Sequence, residues 1–487
     1  VWSARRRLRA AYAALDDAPN FDAWQAAAVA YDRLTGADAW RAEDSCPWYD
    51  APTVRASRDA LRRARANGDA LALAEVLTTA LYRHQSELTA PPLYQVALGG
   101  TKRLVSEWFD EAEACLRWLV THPVPGMPRS EVRRRFGEAW QVFGHTALLL
   151  SGGATLGFYH LGVVKALHGL GLLPHILSGA STGAMVAAGI GVRTDAEITA
   201  LFADPDQLRL DGLRWAGLSR AWSQRALLAP EQLESVLRDN IGEWTFAEAV
   251  QRTGRALAIS VSPTRAAQKP RLLCHRTSPD VDVVSAVLAS SALPGLFPPV
   301  QLEARVGNER VPYAPGERWV DGSIHGDLPK LRLARLFAVN HFIVSQTNPH
   351  VLPFVRHHGK TGALAVVSGL TSATVRTQGL FAAEVGRRVA GRGPLGQLAQ
   401  QAYALVAQEY GGDVDIHPQF RWSMAAKLVG NPTRAELAAF LRDGERAVWP
   451  QVALIQAQTR IGRTLRTCVQ ALDAPPTDEA PCAPATS

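Results

Sequence analysis

The chain has 487 residues, 47% of them hydrophobic and 20% charged, with a formal net charge of +7; this is apolar material enough for two or three domains with a substantial core, and it excludes a disordered or fibrous chain. Its five cysteines are odd in number and scattered without a C-x-x-C pair, which argues against a disulfide scaffold or a cysteine-based metal module and for a reducing compartment. No apolar run reaches the length that spans a bilayer and no secretory signal is visible, so a cytoplasmic location is expected.

Taken in chain order, the first predicted element is a short amphipathic helix in which Arg5, Arg6, Arg7 and Arg9 precede Tyr12 and Leu15. A basic patch beside an apolar stripe suits an anionic lipid surface, whereas no recognition motif or aromatic stacking pattern supports nucleic acid. Asn20 caps a helix whose Phe21, Trp24, Ala28 and Tyr31 share a face, and Asp69 starts another with Leu73, Val76, Leu77, Ala80 and Leu81 inward. The Pro123–Pro128 segment breaks the helices, and a basic helix from Ser130 leads into the first strand.

The densest signal follows. Thr146 to Leu150 reads as a buried strand, Ser151-Gly152-Gly153-Ala154 as a turn, and Gly157 to Leu170 as a helix. His175 to Leu177 reads as a second strand, Gly179-Ala180-Ser181-Thr182-Gly183 as a sharp strand-to-helix turn, and Thr182 to Val192 as a small-residue helix. In this G-x-S-x-G pentapeptide Gly179 and Gly183 leave room for a strained elbow that lifts the Ser181 hydroxyl clear, while the helix N-terminus and the amides of the Gly152–Ala154 turn face a developing oxyanion. The competing reading is a dinucleotide fingerprint, because Gly152 to Gly157 approaches G-x-G-x-x-G. Ala154 stands where its second glycine belongs, and no acidic residue ends the next strand to take a ribose.

Further strands are predicted at Ala256 to Val261 and His341 to Ser345. Between them Arg318 to Asp321 is a short strand ending in an acid, followed by Gly322-Ser323 and then Ile324 to Pro329. Helices are predicted at Ala363 to Leu380 and Leu395 to Tyr410, around the linker Gly391 to Leu395. Thr433 with Glu436 makes a capping box, a last helix runs from Gln451 to Leu472, and Pro475 to Pro481 lacks the apolar residues to fold.

With the elbow, the turn and the Asp321-Gly322 strand end in hand, the chain resembles the patatin-like phospholipase family. The stretches Ala289–Phe297, Asn340–Pro349, Asn431–Thr433 and Gly444–Pro450 resemble its branch of triacylglycerol lipases from yeast lipid droplets and plant seeds. The resemblance implies an α/β fold with a three-layer α/β/α core on a mainly parallel sheet, flanked by helical regions. It implies a helical N-terminal domain over 1–143 and a catalytic core over 144–350, and the sequence pattern adds a helical C-terminal region over 351–472 and a disordered tail over 473–487. It also implies a Ser–Asp dyad without a catalytic histidine: Ser181 as nucleophile, Asp321 as general base, and Gly152, Gly153 and Ala154 as the oxyanion turn. Ala154 stands where the family has glycine, and Ser323 follows Asp321-Gly322 where Gly or Ala is usual.

Other constellations carry less. His325, His341 and His417 follow Ser181 and Asp321, so the chain order of a Ser–Asp–His triad is formally available. His275 and Asp280 form an H-x-x-x-x-D pattern like that of glycerolipid acyltransferases, and His357-His358 lacks companion metal ligands. The expectation is a lipid acyl hydrolase without metal or cofactor, acting on triacylglycerol, with phospholipid or lysophospholipid as the alternative substrate, and touching a membrane or lipid-inclusion surface peripherally. A non-catalytic lipid-binding scaffold is the alternative.

Overall fold

A computed structural model describes residues 2–80, 88–217, 226–265, 268–307, 309–348, 411–419 and 429–474. The helices expected at 363–380 and 395–410, the linker at 391–395, the His357-His358 pair and the 475–481 segment lie outside these residues. The chain divides into two compact units, Val1–His145 with Val452–Ser487, and Thr146–Gln451.

The first unit is built of helices whose ends follow from local chemistry. The Asn20 side chain accepts the Ala23 N–H at 2.9 Å at the start of Phe21–Thr35, and Gly36 closes that helix at φ +83°, a left-handed value glycine adopts without cost. Asp69 accepts the Ala72 N–H at 2.9 Å ahead of Ala70–Ala80, whose Leu73 and Leu77 are buried. Along Arg103–Thr121 the residues Leu104, Trp108, Ala112, Cys115 and Leu119 recur at helical spacing on one buried face. This helix packs against Ala51–Ala66 and against Val452–Asp473. In the N-terminal helix Trp2–Asp17 the Arg5–Arg9 cluster is exposed, as are Leu8 and Tyr12, but Leu15 is buried; the apolar stripe beside the basic patch is therefore Leu8 and Tyr12, and Leu15 belongs to the core.

The second unit is an α/β/α sandwich on a mainly parallel sheet. Its strands are β1 (His145–Leu150), β2 (Ile176–Gly179), β3 (Ala256–Pro263), β4 (Arg271–Cys274), β7 (Trp319–Asp321), β8 (Val339–Ser345) and β9 (Val414–Ile416), with β5 (Glu303–Val306) and β6 (Glu309–Pro312) forming a separate hairpin. The order is β4-β3-β2-β1-β8-β9. β1, β2 and β3 run parallel, as do β8 and β9, while β4 and β7 run antiparallel to β3. The inner strands are buried on both faces, which is why they read as continuous apolar runs.

Two glycines set one helix crossing. A Cβ on Gly162 would lie 2.2 Å from the Leu441 carbonyl oxygen, and one on Gly444 2.3 Å from that of Tyr159, so Tyr159–Gly169 and Arg434–Val448 meet at backbone contact. The register sets the site. Leu150 pairs with Gly179, Gly179 with Ile259, and Val261 with Asp321, so the turn after β1, the elbow after β2 and the acid ending β7 converge at one edge of the sheet. Ligand sites of open α/β sheets lie at this edge, beyond the carboxyl ends of the parallel strands.

Candidate active site

Ser181 follows β2 and precedes the helix Thr182–Gly191 with φ +53° and ψ −127°, a conformation L-residues rarely adopt and one that costs on the order of 1–3 kcal/mol. Glycines on both sides make it possible. A Cβ on Gly179 would sit 2.2 Å from the Gly183 carbonyl oxygen, and one on Gly183 would sit 2.2 Å from that of Leu150. The strained turn is also tied down, since the Ser181 N–H donates to the Ser290 hydroxyl at 3.0 Å and the Ser290 hydroxyl donates to the Ser260 carbonyl at 2.7 Å.

Asp321 is 1% exposed at the end of β7. Burial pushes its carboxyl up to about 6, against the lowering influence of the Ser323 N–H, the nearby Ser181 hydroxyl and the Ser323 hydroxyl. Both Ser323 bonds are 2.8 Å long and converge on the same oxygen. The intervening residue must be glycine, because a Cβ on Gly322 would fall 2.0 Å from the Ser260 carbonyl oxygen. Ser323, the departure from the family pattern, thus supplies a hydroxyl that Gly or Ala would not.

The turn after β1 is gripped from behind. The Ser151 hydroxyl donates to the Gly152 carbonyl at 2.9 Å and accepts the Thr347 N–H at 2.8 Å, and the Thr347 hydroxyl donates to the Gly152 carbonyl at 3.1 Å. His160, fully buried and driven down to about 4 by desolvation, stays neutral near pH 7 between the Ser345 hydroxyl, 2.7 Å away, and the Ser151 carbonyl, 2.9 Å away. Ala154 takes φ +48°, the left-handed value for which the family's glycine would be free, and its carbonyl accepts the Thr182 hydroxyl at 2.8 Å. The alanine accepts the strain and keeps its amide.

The three turn residues are not equivalent. The Gly152 N–H donates to the Asp327 carboxyl at 2.8 Å, whereas among the described residues the Gly153 and Ala154 amides meet no protein acceptor. A side chain seated on the first amide also argues against the dinucleotide reading, since that amide is no longer open to a pyrophosphate. A cavity of about 170 Å³ opens beside Ser181 and Ala154, with Met185, Ile190, Leu233, Leu237, Leu296 and Phe297 among an apolar lining. Such a lining suits a hydrocarbon chain.

Of the remaining sequence candidates, His325 lies in the short helix Ser323–Gly326 directly after Asp321, and the others fall elsewhere. His341 is buried in β8 with Nδ1 3.1 Å from the Thr146 hydroxyl, level with the start of β1 and so at the opposite end of that strand from the turn. His417 follows β9, three strands from β2. His275 packs its ring at a tilt against Phe337, 5.6 Å between centroids, and Asp280 is exposed. Ser290, Asp327, Thr347 and Asn348, which support the site from flanking stretches, carry no motif of their own in the sequence. A second acid six residues after Asp321, and polar residues directly after β8, were the available signals.

This sheet, with a glycine-flanked serine elbow at its carboxyl edge, is the architecture of patatin-type α/β proteins. Residues 148–331 match the Patatin-like phospholipase family and residues 1–140 a domain of unknown function, DUF3336. The chain is 31% identical over 459 residues to triacylglycerol lipase ptl3 of Schizosaccharomyces pombe, covering 90% of this chain and 92% of that one. It is 35% identical to triacylglycerol lipase SDP1L of Arabidopsis thaliana, over 87% of this chain and 54% of that one. It is 32% identical to triacylglycerol lipase 4 of Saccharomyces cerevisiae, over 90% of this chain and 50% of that one. The chain therefore belongs to the patatin-like phospholipase family, and it spans about half the length of the last two relatives.

Proposed function

We propose that this protein is a serine acyl hydrolase that releases fatty acids from triacylglycerol. The observation that carries the reading is the convergence, at the carboxyl edge of the sheet, of Ser181 on a strained elbow lining an apolar cavity and of the buried Asp321 carboxyl at the end of β7. Ser181 Oγ attacks the ester carbonyl carbon while Asp321 takes its proton. The charge that develops on the carbonyl oxygen is met by the Gly153 and Ala154 amides and the N-terminal end of the helix that follows Ser181. Asp321 then delivers the proton to the departing glyceride oxygen, the carbon–oxygen bond breaks, and the acyl group remains on Ser181. A water attacks the acyl carbon, giving a proton to Asp321; the fatty acid leaves and the proton returns to Ser181. The scheme uses no cofactor.

Triacylglycerol is preferred over phospholipid because three relatives carry that lipase name and the cavity lining is apolar. Cytoplasmic action at a membrane or lipid-inclusion surface goes with this substrate, with the Arg5–Arg9 face as the contact. Among the described residues no helix is long and apolar enough to cross a membrane. The test is a panel of emulsified triacylglycerol, diacylglycerol, phospholipid and lysophospholipid given to purified wild type and Ser181→Ala. Fatty acid release highest from triacylglycerol and lost in the variant supports the reading; release confined to phospholipids, or undiminished in the variant, overturns it.

A further inference from the structure

Asp327 is a second buried carboxyl beside the first, and the reaction scheme above makes no use of it. It is 1% exposed, six residues after Asp321, beyond the short helix Ser323–Gly326. One carboxyl oxygen accepts the Gly152 N–H at 2.8 Å and the other meets the Asn348 side-chain amide at 2.6 Å, while the Asn348 N–H donates to the Gln346 side chain at 2.9 Å. Its partners are therefore the first residue of the oxyanion turn on one side and the polar exit of β8 on the other.

A bare solvent-facing turn would leave all three amides to rotate as the chain relaxes. Here the Gly152 carbonyl is already held by the Ser151 and Thr347 hydroxyls, and a Cβ on Gly153 would lie 2.2 Å from Thr347 Oγ1, so the peptide on that side is fixed by close packing. Asp327 fixes the other side of the same residue. With both faces of Gly152 engaged, the two amides that follow have one direction left to point, toward the Ser181 side of the turn, where Ala154 is anchored through Thr182. We propose that Asp327 is a positioning residue: by holding the Gly152 N–H, and braced by Asn348, it aims the Gly153 and Ala154 amides at the oxygen on which charge develops. The assignment rests on the acyl-hydrolase reading above.

The chemistry favours a carboxyl in its neutral form at this place. An ionised group directly behind an oxyanion would oppose the charge being stabilised. Desolvation, reinforced by the neighbouring Asp321 charge, pushes Asp327 up to about 8, so the proton is retained near neutrality.

The test compares wild type, Asp327→Asn, Asp327→Ala and Asn348→Ala on a soluble short-chain p-nitrophenyl ester. It also measures inhibition by a matching trifluoromethyl ketone, whose tetrahedral adduct carries the same oxyanion. Misaimed donors act in the transition state alone, so Asp327→Ala should lower kcat by about 10- to 100-fold with KM changed less than about twofold. Asp327→Asn keeps an oxygen for the Gly152 N–H and should stay within about fivefold of wild type. Across the four proteins the logarithm of the inhibition constant should follow that of KM/kcat with a slope near one. A residue that merely supports folding would not produce that line. If Asp327→Ala does not fold, the slope through the other three proteins decides. Inhibition that stays constant while kcat falls, or kcat unchanged in every variant, overturns the proposal. Ser181→Ala run alongside separates the two failures, because wild-type turnover there removes the hydrolase reading whatever Asp327 does.

Discussion

The backbone N–H of Ser181 points at the hydroxyl of Ser290, 3.0 Å away, and not into the cavity. Through the 2.7 Å bond from Ser290 to the Ser260 carbonyl, the strained elbow after β2 is fastened to β3 and to the helix Val283–Ser291. Ser290 is fully buried, so its removal leaves the Ser181 amide and the Ser260 carbonyl without their shared partner.

Replacing Ser290 with alanine should therefore cost about 1–3 kcal/mol of stability, the penalty for an orphaned buried group. It should also lower kcat, because the elbow loses the contact that holds its unfavourable backbone angles. Denaturant unfolding paired with ester hydrolysis checks both. Unchanged stability together with unchanged kcat would show that this tie does not hold the elbow.

In the proposed reaction Asp321 must be ionised to accept the serine proton, and burial raises its value to about 6. The pH profile of kcat/KM on a soluble ester should rise through that region and fall away below it, not near the ordinary carboxylate range. Asp321→Asn should lower turnover by about 10²- to 10⁴-fold without loss of fold, measured by kinetics and circular dichroism. Losses of that size from alanine at His325, His341 or His417, with Asp321→Asn near wild type, would speak for a histidine base instead.

Asp327 gives a stability signature of its own. Its folded-state value, about 8, lies above the 3.8 of a free aspartate, so the folded chain keeps a proton that the unfolded chain releases. The stability associated with that proton is complete below about pH 4 and is lost as pH rises through about 8. Asp327→Asn does not titrate and lacks this loss. Its melting temperature relative to wild type should climb from pH 5 to pH 9, and a constant difference across that range would contradict the raised value.

How much of this was readable beforehand divides along sequence distance. The elbow after β2 and the glycine turn after β1 were legible as local structure, because each is a strand run ending in small residues that permit positive φ or backbone contact. Asp321 was legible because an acid closes a short apolar strand. The supports were not: the Ser181–Ser290 bond joins residues 109 apart and the Gly152–Asp327 bond residues 175 apart. Ser, Asp and Asn in loops carry no periodicity that would announce such partners. Leu15 shows the converse error, since helical spacing assigned it to the exposed face with Tyr12, and packing within the helical unit buried it.

The exposed Arg5–Arg9 face bears on how the proposed lipase would meet a water-insoluble substrate. Each basic residue close to an anionic surface contributes about 1 kcal/mol at low salt and less as salt rises. Changing Arg5, Arg6, Arg7 and Arg9 to glutamine should reduce flotation with anionic liposomes at low salt and leave hydrolysis of a soluble ester unchanged. Equal flotation of variant and wild type would return these arginines to an ordinary solvated helix face.

The central claim is that Ser181 is the nucleophile, and covalent labelling tests it most directly. A fluorophosphonate probe followed by peptide mass spectrometry should place the adduct on Ser181 alone, with labelling abolished in Ser181→Ala and strongly slowed in Asp321→Asn. Labelling of Ser181→Ala at the wild-type rate, or an adduct on another serine in the wild-type protein, would contradict the account.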